Sequence, residues 1–590
     1  AMIQRLMNIM QINDQLEGGQ RKNLIFLFSV AWVALMLGVW NFALIFSLDS
    51  GYLLPLFFDL DALSNVASWQ YLSNKIMAGD LLLLQKETGF QVHDALLPRL
   101  GLLFSAAVSG FLGHAAALFI FTVVLPTICY VYLVRIYRLF LPLRWSIFIA
   151  ALGLLSMANY PFRNFLIGLI AGDVFPTLPV LDQPDIIGQP FPSLSLLIFL
   201  LLFYYSILST RTGGSGQMLI SVLWGLQGYI HILNLAFGIP FWLIVLGLFY
   251  WRRTRHAGGS GPVPTLLKSF APHFVVVCLL SLPVLYGVVM TEANPFVMHE
   301  TDFDWFTIVT YMMLPLLLLA LCFIAFRIDP YELVIKFNLV WITMLVELFL
   351  LICWAVFGFG ISSDVMDARL GLYFLHLFYY VPAIYYAHRP YTGYYSGSEA
   401  TLFAIYFRKI FSFFFHRLSL VYLPLFCALL SVFVFMGSNA VRDNFERHIK
   451  ADYETTHAAI VHAASSSQPA RPASSAAEAL FRMINGADES WTNSFVDPVN
   501  IDEAIEGFAH YAHLHSWTLP QFKAFMLPRD SFESDLPYEI YDNTALRGLG
   551  YWLLTNSQTL DMSRYNDFQT LIEQHYNSVE RQITEQGKAE

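Results

Sequence analysis

The chain has 590 residues, of which 57% are hydrophobic, 16% are aromatic and only 13% are charged, and its net charge is −10. Soluble proteins carry roughly 25% charged residues, so this chain has too little polar surface to cover a globule in water. The composition therefore excludes a single soluble domain, a disordered chain and a disulfide framework, and it predicts a polytopic membrane protein. No long run of Lys and Arg is present, so no nucleic-acid partner is expected.

Long apolar runs predict an all-α fold with about eleven transmembrane helices within residues 1–438, because a spanning helix needs about 20 apolar residues. The predicted spans lie near 24–47, 114–134, 144–160, 193–209, 217–236, 239–251, 269–290, 306–326, 334–358, 370–387 and 418–437. The apolar segments 51–58 and 95–112 are short or interrupted, so they are expected to be interfacial or re-entrant. All five cysteines lie in apolar runs, which predicts buried thiols.

The distribution of charge predicts the orientation of the chain. With a cytoplasmic N-terminus, the inner loops hold 14 basic residues and the outer loops hold five. The outer loops are acidic instead, and this pattern follows the positive-inside rule. The sequence therefore predicts a cytoplasmic N-terminus and an external C-terminus.

Two outer loops are long, at 48–113 and 161–192, and long ordered loops are often functional. On the inner side, YFRKIFSFFFHR within 388–417 is typical of a basic amphipathic helix on the membrane surface. Residues 439–590 carry no spanning run and are predicted to form a small, mostly helical external domain with a Ser/Ala/Pro linker at 464–478. Within this tail, the segments 441–462, 499–515, 518–526 and 564–586 have the residue spacing of helices.

The first outer loop supplies the main candidate residues. Asp59 and Asp61 follow the first span, and in extended backbone the side chains of i and i+2 point to the same side. These carboxylates either share a site or a cation, or they are solvated loop acids. Farther along the loop, His93 and Asp94 precede Arg99, a set that suits phosphate binding or proton relay, or else interfacial anchoring with a helix cap.

Other polar residues lie at the predicted outer ends of later spans. His231 shares a helical face with Gln227 and Asn234, either lining a cavity or forming hydrogen bonds between helices. Arg369 is placed for a lipid phosphate or for an ion pair with a neighbouring Asp. The remaining outer-loop candidates are Arg163, Asp173 and His299.

Two more polar features have simpler interpretations. Glu347 lies near the middle of the ninth span, where a structural pair is expected rather than catalysis. His510, His513 and His515 in the tail lack the carboxylate or cysteine that would complete a zinc set.

This organisation resembles the GT-C superfamily of bacterial membrane glycosyltransferases. The resemblance rests on one span followed by a long external loop opening with FFDLDALSN, on QPFPSLSLLIFLLLFYY at the fourth span, and on WGLQGYIHILNLAFG in the fifth. It implies transfer of a sugar from a polyprenyl-phosphate carrier to a glycan, lipid or protein acceptor on the outer, periplasmic face of the inner membrane. By position in the family, Asp59 would be the general base, and Asp61 would assist it or hold a divalent cation.

The roles of the other residues follow from the predicted side of the membrane on which each lies and from its depth, rather than from a family motif. Phosphate contacts are expected from Arg369, Arg163, His299 and His93, and the cavity or acceptor side is expected to include Asp94, His231 and Asp173. No cofactor is implied beyond the lipid-linked donor, and metal dependence stays open. The competing classes are an O-antigen-type polymerase or ligase, a multi-span transporter and a non-catalytic membrane subunit.

Overall fold

The structure is a computed structural model. It describes residues 18–45, 73, 76–77, 99–155, 190–211, 216–230, 232–256, 262–290, 314–326, 330–357, 377–388, 406, 409–448, 501–514, 516–528, 548, 550–551, 554 and 560–589. Within these ranges every regular element is a helix, so the predicted all-α class is confirmed for the described part of the chain.

The membrane part begins with α1 (Gly18–Ile45) and α2 (Arg99–Leu112). The elements that follow are α3 (His114–Phe119), a π-helical turn at Ile120–Val124, α4 (Leu125–Arg138), α5 (Leu143–Leu155), α6 (Pro190–Arg211) and α7 (Gln217–Leu226). Next come α8 (Ile232–His256), α9 (Pro262–Met290), α10 (Leu314–Phe326), α11 (Pro330–Lys336), α12 (Asn338–Phe357) and α13 (Val381–His388). A second π-helical turn at Phe413–Leu418 leads into α14 (Ser419–His448).

Four helical stretches among the described residues are long and apolar enough to cross a membrane: Lys22–Val39, Ile120–Arg138, Ser193–Thr210 and Lys409–Val432. Their outer faces carry large apolar side chains; Phe28 is 77% exposed and Leu425 is 68% exposed. In water such surfaces would be unfavourable, whereas lipid tails solvate them. The chain is therefore a helical membrane protein, and the total of eleven spans stays a prediction.

The bundle brings the first and last membrane helices together. The indole Nε1–H of Trp32 on α1 donates to the Ser431 hydroxyl on α14 over 2.9 Å. Aromatic side chains fill the interior farther along the chain, where Phe199, Phe203 and Phe241 are fully buried and stack. The π-helical turn before α4 places Phe121 in the same core.

Three boundaries differ from the sequence prediction. The helix of the fifth span ends at Leu226 and α8 is described from Ile232, so the α-helix is interrupted at 227–230 instead of between 236 and 239. The segment 409–417 is helical, as predicted, and runs directly into the last membrane helix without a break; its place on the membrane surface stays a prediction. That last helix then continues to His448, past the predicted domain boundary at 438/439, because no Gly or Pro stops it beyond Gly437.

Two further expectations need correction. The prolines of FPTLPVLDQPDIIGQPFPSLSLL predict a rigid, non-helical connector into the fourth span. However, Pro190 and Pro192 occupy the first turn of α6, where a missing N–H costs no hydrogen bond. Cys129 and Cys322 are buried as predicted, but Cys278 and Cys427 are only half-buried. Cys353 lies outside the residues whose side chains are described.

The tail contributes α15 (Ile501–Leu514), α16 (Leu519–Met526) and α17 (Tyr565–Ala589), which confirms three of its four predicted helices. Thr518 and Gln521 form a capping box at the start of α16. The three helices pack around Phe508, Phe522 and Ile572, each at most 1% exposed. The fourth segment, 441–462, falls partly in α14 and partly outside the described residues.

Candidate functional site

All the site residues predicted from the sequence lie outside the part of the chain that the structure describes. The structure therefore neither brings them together nor separates them. They are Asp59, Asp61, His93, Asp94, Arg163, Asp173, His231, His299 and Arg369. Their grouping into one site stays a prediction.

Gln227, four residues before His231 in the sequence, is described by the structure. Leu226 ends α7, and a 3₁₀ turn at Gln227–Tyr229 replaces the α-helix there. Gln227 is fully buried, and neither atom of its side-chain amide has a hydrogen-bond partner among the described residues. Buried amides are normally satisfied, and no described residue satisfies this one, which lies at the predicted outer end of the fifth span.

Below this break, α7, α8 and α9 share a buried polar network. The Trp242 indole donates to the Ser221 hydroxyl over 2.8 Å, and Nδ1 of His273 lies 2.9 Å from the same hydroxyl. On the other side of the imidazole, the Tyr250 hydroxyl lies 3.0 Å from Nε2 of His273 and 3.0 Å from Oε1 of Gln217. Hydrogen bonds thus connect five side chains from three helices, and none of the five is a carboxylate.

The hydrogen bonds of the network fit a neutral His273. With the proton on Nε2, the ring donates to the Tyr250 oxygen, the Tyr250 hydroxyl donates to Gln217, and the Ser221 hydroxyl donates to Nδ1. These bonds need no buried charge, and they leave Nε2 of Gln217 without a partner among the described residues. The network can fix the relative positions of three helices, and it gives no sign of nucleophilic chemistry.

Two further polar groups inside the bundle also have structural partners. The Tyr379 hydroxyl donates to the buried carboxylate of Glu347, which is the structural pair expected for this residue. Nη2 of Arg144 lies 2.9 Å from Nδ1 of His388 and 3.2 Å from Nδ1 of His416. Because a guanidinium only donates, both imidazoles accept at Nδ1 and carry their protons on Nε2.

In the tail, His513 has a structural partner. Its Nε2 lies 3.1 Å from the backbone oxygen of Tyr576, and its ring packs 4.2 Å from the Tyr576 ring. The residues that the structure describes contain no group of three metal-ligating side chains, and the side chain of His515 lies outside them.

The network around Ser221 is not among the features predicted from the sequence. The signal is present in part, since His273 interrupts a predicted span and Gln217 and Ser221 lie four residues apart on one helical face. The sequence does not show how α8 crosses α7 and α9, and it is this crossing that brings Trp242 and Tyr250 to these residues.

Comparisons of the chain with protein-family models, with curated proteins and with solved structures gave no match.

Proposed function

We propose that the chain is a GT-C-type glycosyltransferase of a bacterial inner membrane. It moves a sugar from a polyprenyl-phosphate carrier to an acceptor on the periplasmic face, with the N-terminus cytoplasmic and the C-terminus periplasmic. The observation that carries the proposal is the Asp59–Leu60–Asp61 motif, which follows α1 in the sequence and lies in the first predicted outer loop.

The chemistry assigns a role to each side of the reaction. The Asp59 carboxylate takes the proton of the acceptor hydroxyl, whose oxygen attacks the anomeric carbon of the sugar. The bond from that carbon to the phosphate oxygen breaks, and the polyprenyl phosphate leaves with the electron pair. A single displacement of this kind inverts the anomeric centre.

The departing phosphate carries negative charge, which positive side chains stabilise. Arg369 and Arg163 are the proposed phosphate contacts, assisted by His299 or His93. Asp61 assists the base or holds a divalent cation. Asp94, Asp173 and His231 are proposed to face the acceptor, and the buried Gln227 amide near His231 supports a polar cavity at this end of the bundle.

The test uses the full chain in membranes supplied with a panel of polyprenyl-phosphate sugars that carry a labelled sugar. Loss of label from the lipid fraction reports transfer to any acceptor that the membranes contain. We expect Asp59→Asn to lower the rate by about 10²–10⁴-fold, the usual contribution of a general base. The matched control is Asp182→Asn, which removes another outer-loop carboxylate and should leave the rate within about twofold of the wild-type rate.

Near-normal transfer by Asp59→Asn at unchanged expression would reject Asp59 as the base. If the membranes consumed a lipid-diphosphate oligosaccharide and no other donor, the result would instead support a polymerase or ligase.

One observation favours a second candidate, a multi-span transporter. Discontinuous helices are typical of transporter binding sites, and the helix is interrupted between α7 and α8. Protein-dependent flux of a labelled sugar into liposomes, with no consumption of any lipid-linked donor, would favour transport over transfer.

A further inference from the structure

A basic cleft lies at the predicted cytoplasmic face of the bundle, away from the proposed catalytic loops. It has a volume of about 720 Å³ and is bounded by the end of α6, the last turns of α8 and the junction of α11 with α12. Arg252, Arg253 and Lys336 line its polar part, and Val245, Leu248 and Leu339 line its apolar part.

Two arginines and a lysine supply the positive charge of the cleft. Among the described residues, no carboxylate forms an ion pair with Arg252 or Arg253, and both side chains are exposed. The Lys336 ammonium donates to the Tyr385 hydroxyl and lies 4.1 Å from the centre of the Tyr385 ring. This contact holds the ammonium at the wall of the cleft.

The cleft lies at the depth of lipid headgroups. Tyr250 and Trp251 immediately precede Arg252 on α8, and Trp251 is 46% exposed. Tyr and Trp collect at the membrane–water boundary, and basic residues just beyond them reach the phosphate layer. Tyr385 and Lys336 repeat this aromatic–basic pairing on the opposite wall.

The apolar part of the cleft continues toward the lipid-facing surface of the bundle. Leu248 is 37% exposed and Ile335 is 42% exposed, and both line the cleft. A soluble anion would use only the basic end and leave these side chains uncovered. A lipid places its phosphate between the arginines while its acyl chains cover the leucine and isoleucine side chains.

We propose that this cleft binds one anionic phospholipid of the inner leaflet, with its phosphate held by Arg252, Arg253 and Lys336. Asn338, also in the cleft wall, offers an amide to the glycerol and ester oxygens. The site is independent of the proposed sugar transfer, since it involves none of the residues assigned to that reaction.

The test counts lipids retained by the purified full chain in native mass spectrometry, with phosphatidylglycerol and phosphatidylcholine offered at equal amounts. We expect preferential retention of phosphatidylglycerol by the wild type and about a tenfold loss of it in the double variant Arg252→Gln/Arg253→Gln. The matched control is Arg135→Gln/Arg138→Gln, which removes two exposed charges from the same predicted face but not from the cleft.

Three results would overturn the proposal. They are equal retention of the two lipids by the wild type, equal losses in the cleft variant and the control variant, and displacement of the bound lipid by inorganic phosphate alone. The last result would identify a site for a soluble anion. If the double variant does not fold, Lys336→Met provides the same comparison, and a salt titration of the wild type must show retention falling as ionic strength rises.

Discussion

The membrane bundle and the C-terminal helices distribute their polar and apolar side chains in opposite ways. In the bundle, apolar residues such as Phe28 face outward, while Ser221, Gln217 and His273 are buried and hydrogen-bonded. In the tail, Phe508 and Phe522 are buried, while charged pairs such as Lys523–Glu573 lie at the surface.

The difference follows from the surrounding solvent. Lipid tails give no hydrophobic force between helices, so close packing and interhelical hydrogen bonds hold a bundle together. Water supplies that force to the tail, where the same polar groups are solvated and contribute little. We therefore expect substitutions that disturb packing or buried hydrogen bonds in the bundle to cost more than the loss of a polar group in the tail.

Packing between α7 and α8 should give the largest effect. A Cβ atom added at Gly238 would lie 2.0 Å from the Trp224 ring, whose side chain is fully buried. We expect Gly238→Ala to lower the free energy of unfolding by about 1–3 kcal/mol or more, since the ring has no space to move into. The measurement is the thermal unfolding midpoint of the purified full chain.

The matched control for this change is Gly247→Ala on the same helix, where an added Cβ meets nothing within 4 Å. This control should leave the midpoint unchanged or raise it, because Ala favours helix. Equal midpoints for the two variants would contradict the close packing of α7 on α8.

Removing the hydroxyl at the centre of the polar network should cost somewhat less. Ser221→Ala leaves the Trp242 N–H and Nδ1 of His273 without their partner, and an unsatisfied buried polar group costs about 1–3 kcal/mol. Ser209→Ala is the control, because the hydroxyl of Ser209 donates to a backbone oxygen of its own helix. A cost for Ser221→Ala no larger than that of the control would show that the network does not hold the helices.

The tail should give the smallest effect, and that effect should depend on pH. The Ser563 hydroxyl and N–H donate to the Asp561 carboxylate over 2.7 and 3.0 Å, and these bonds lower the pKa of that carboxyl. A lowered pKa means that the folded state favours the ionised form. Its contribution to stability is therefore present above the unfolded pKa of about 3.9 and is lost as pH falls through the folded pKa.

Asp561 caps the 3₁₀ turn Met562–Arg564, which leads into α17. The measurement for this cap is hydrogen exchange in that turn, compared between the full wild-type chain and Asp561→Ala. At neutral pH the variant should exchange slightly faster, after correction for intrinsic rates. The difference should shrink as the pH falls below about 4. A difference that stays constant to pH 3 would show that the carboxylate is not the cap.

The two regions differ in how far they can be predicted from the sequence. The helices at 501–514, 519–526 and 565–589 follow from local periodicity and the Thr518 cap, both of which are visible in the chain itself. The break at 227–230 does not follow from hydropathy, because the run of apolar residues continues through it. It accompanies the packing of Trp224 against Gly238, a contact that no local pattern contains.

The candidate site shows the same limit. Asp59, Asp61 and Arg369 are candidates because of the membrane side and the depth predicted for them. Such criteria place residues at one membrane surface but do not fix the distances between them. The polar network around His273 depends on the crossing of three helices, so a local pattern contains only its isolated members.

The outer loops are proposed to form a site for a polyprenyl-phosphate sugar. The most direct test is an experimental density map of the full chain in a lipid bilayer with such a donor added. We expect density for the donor beside Asp59, with its phosphate in contact with Arg369. A continuous hydrated pathway across the bundle, with no donor at Asp59, would contradict the proposed transfer.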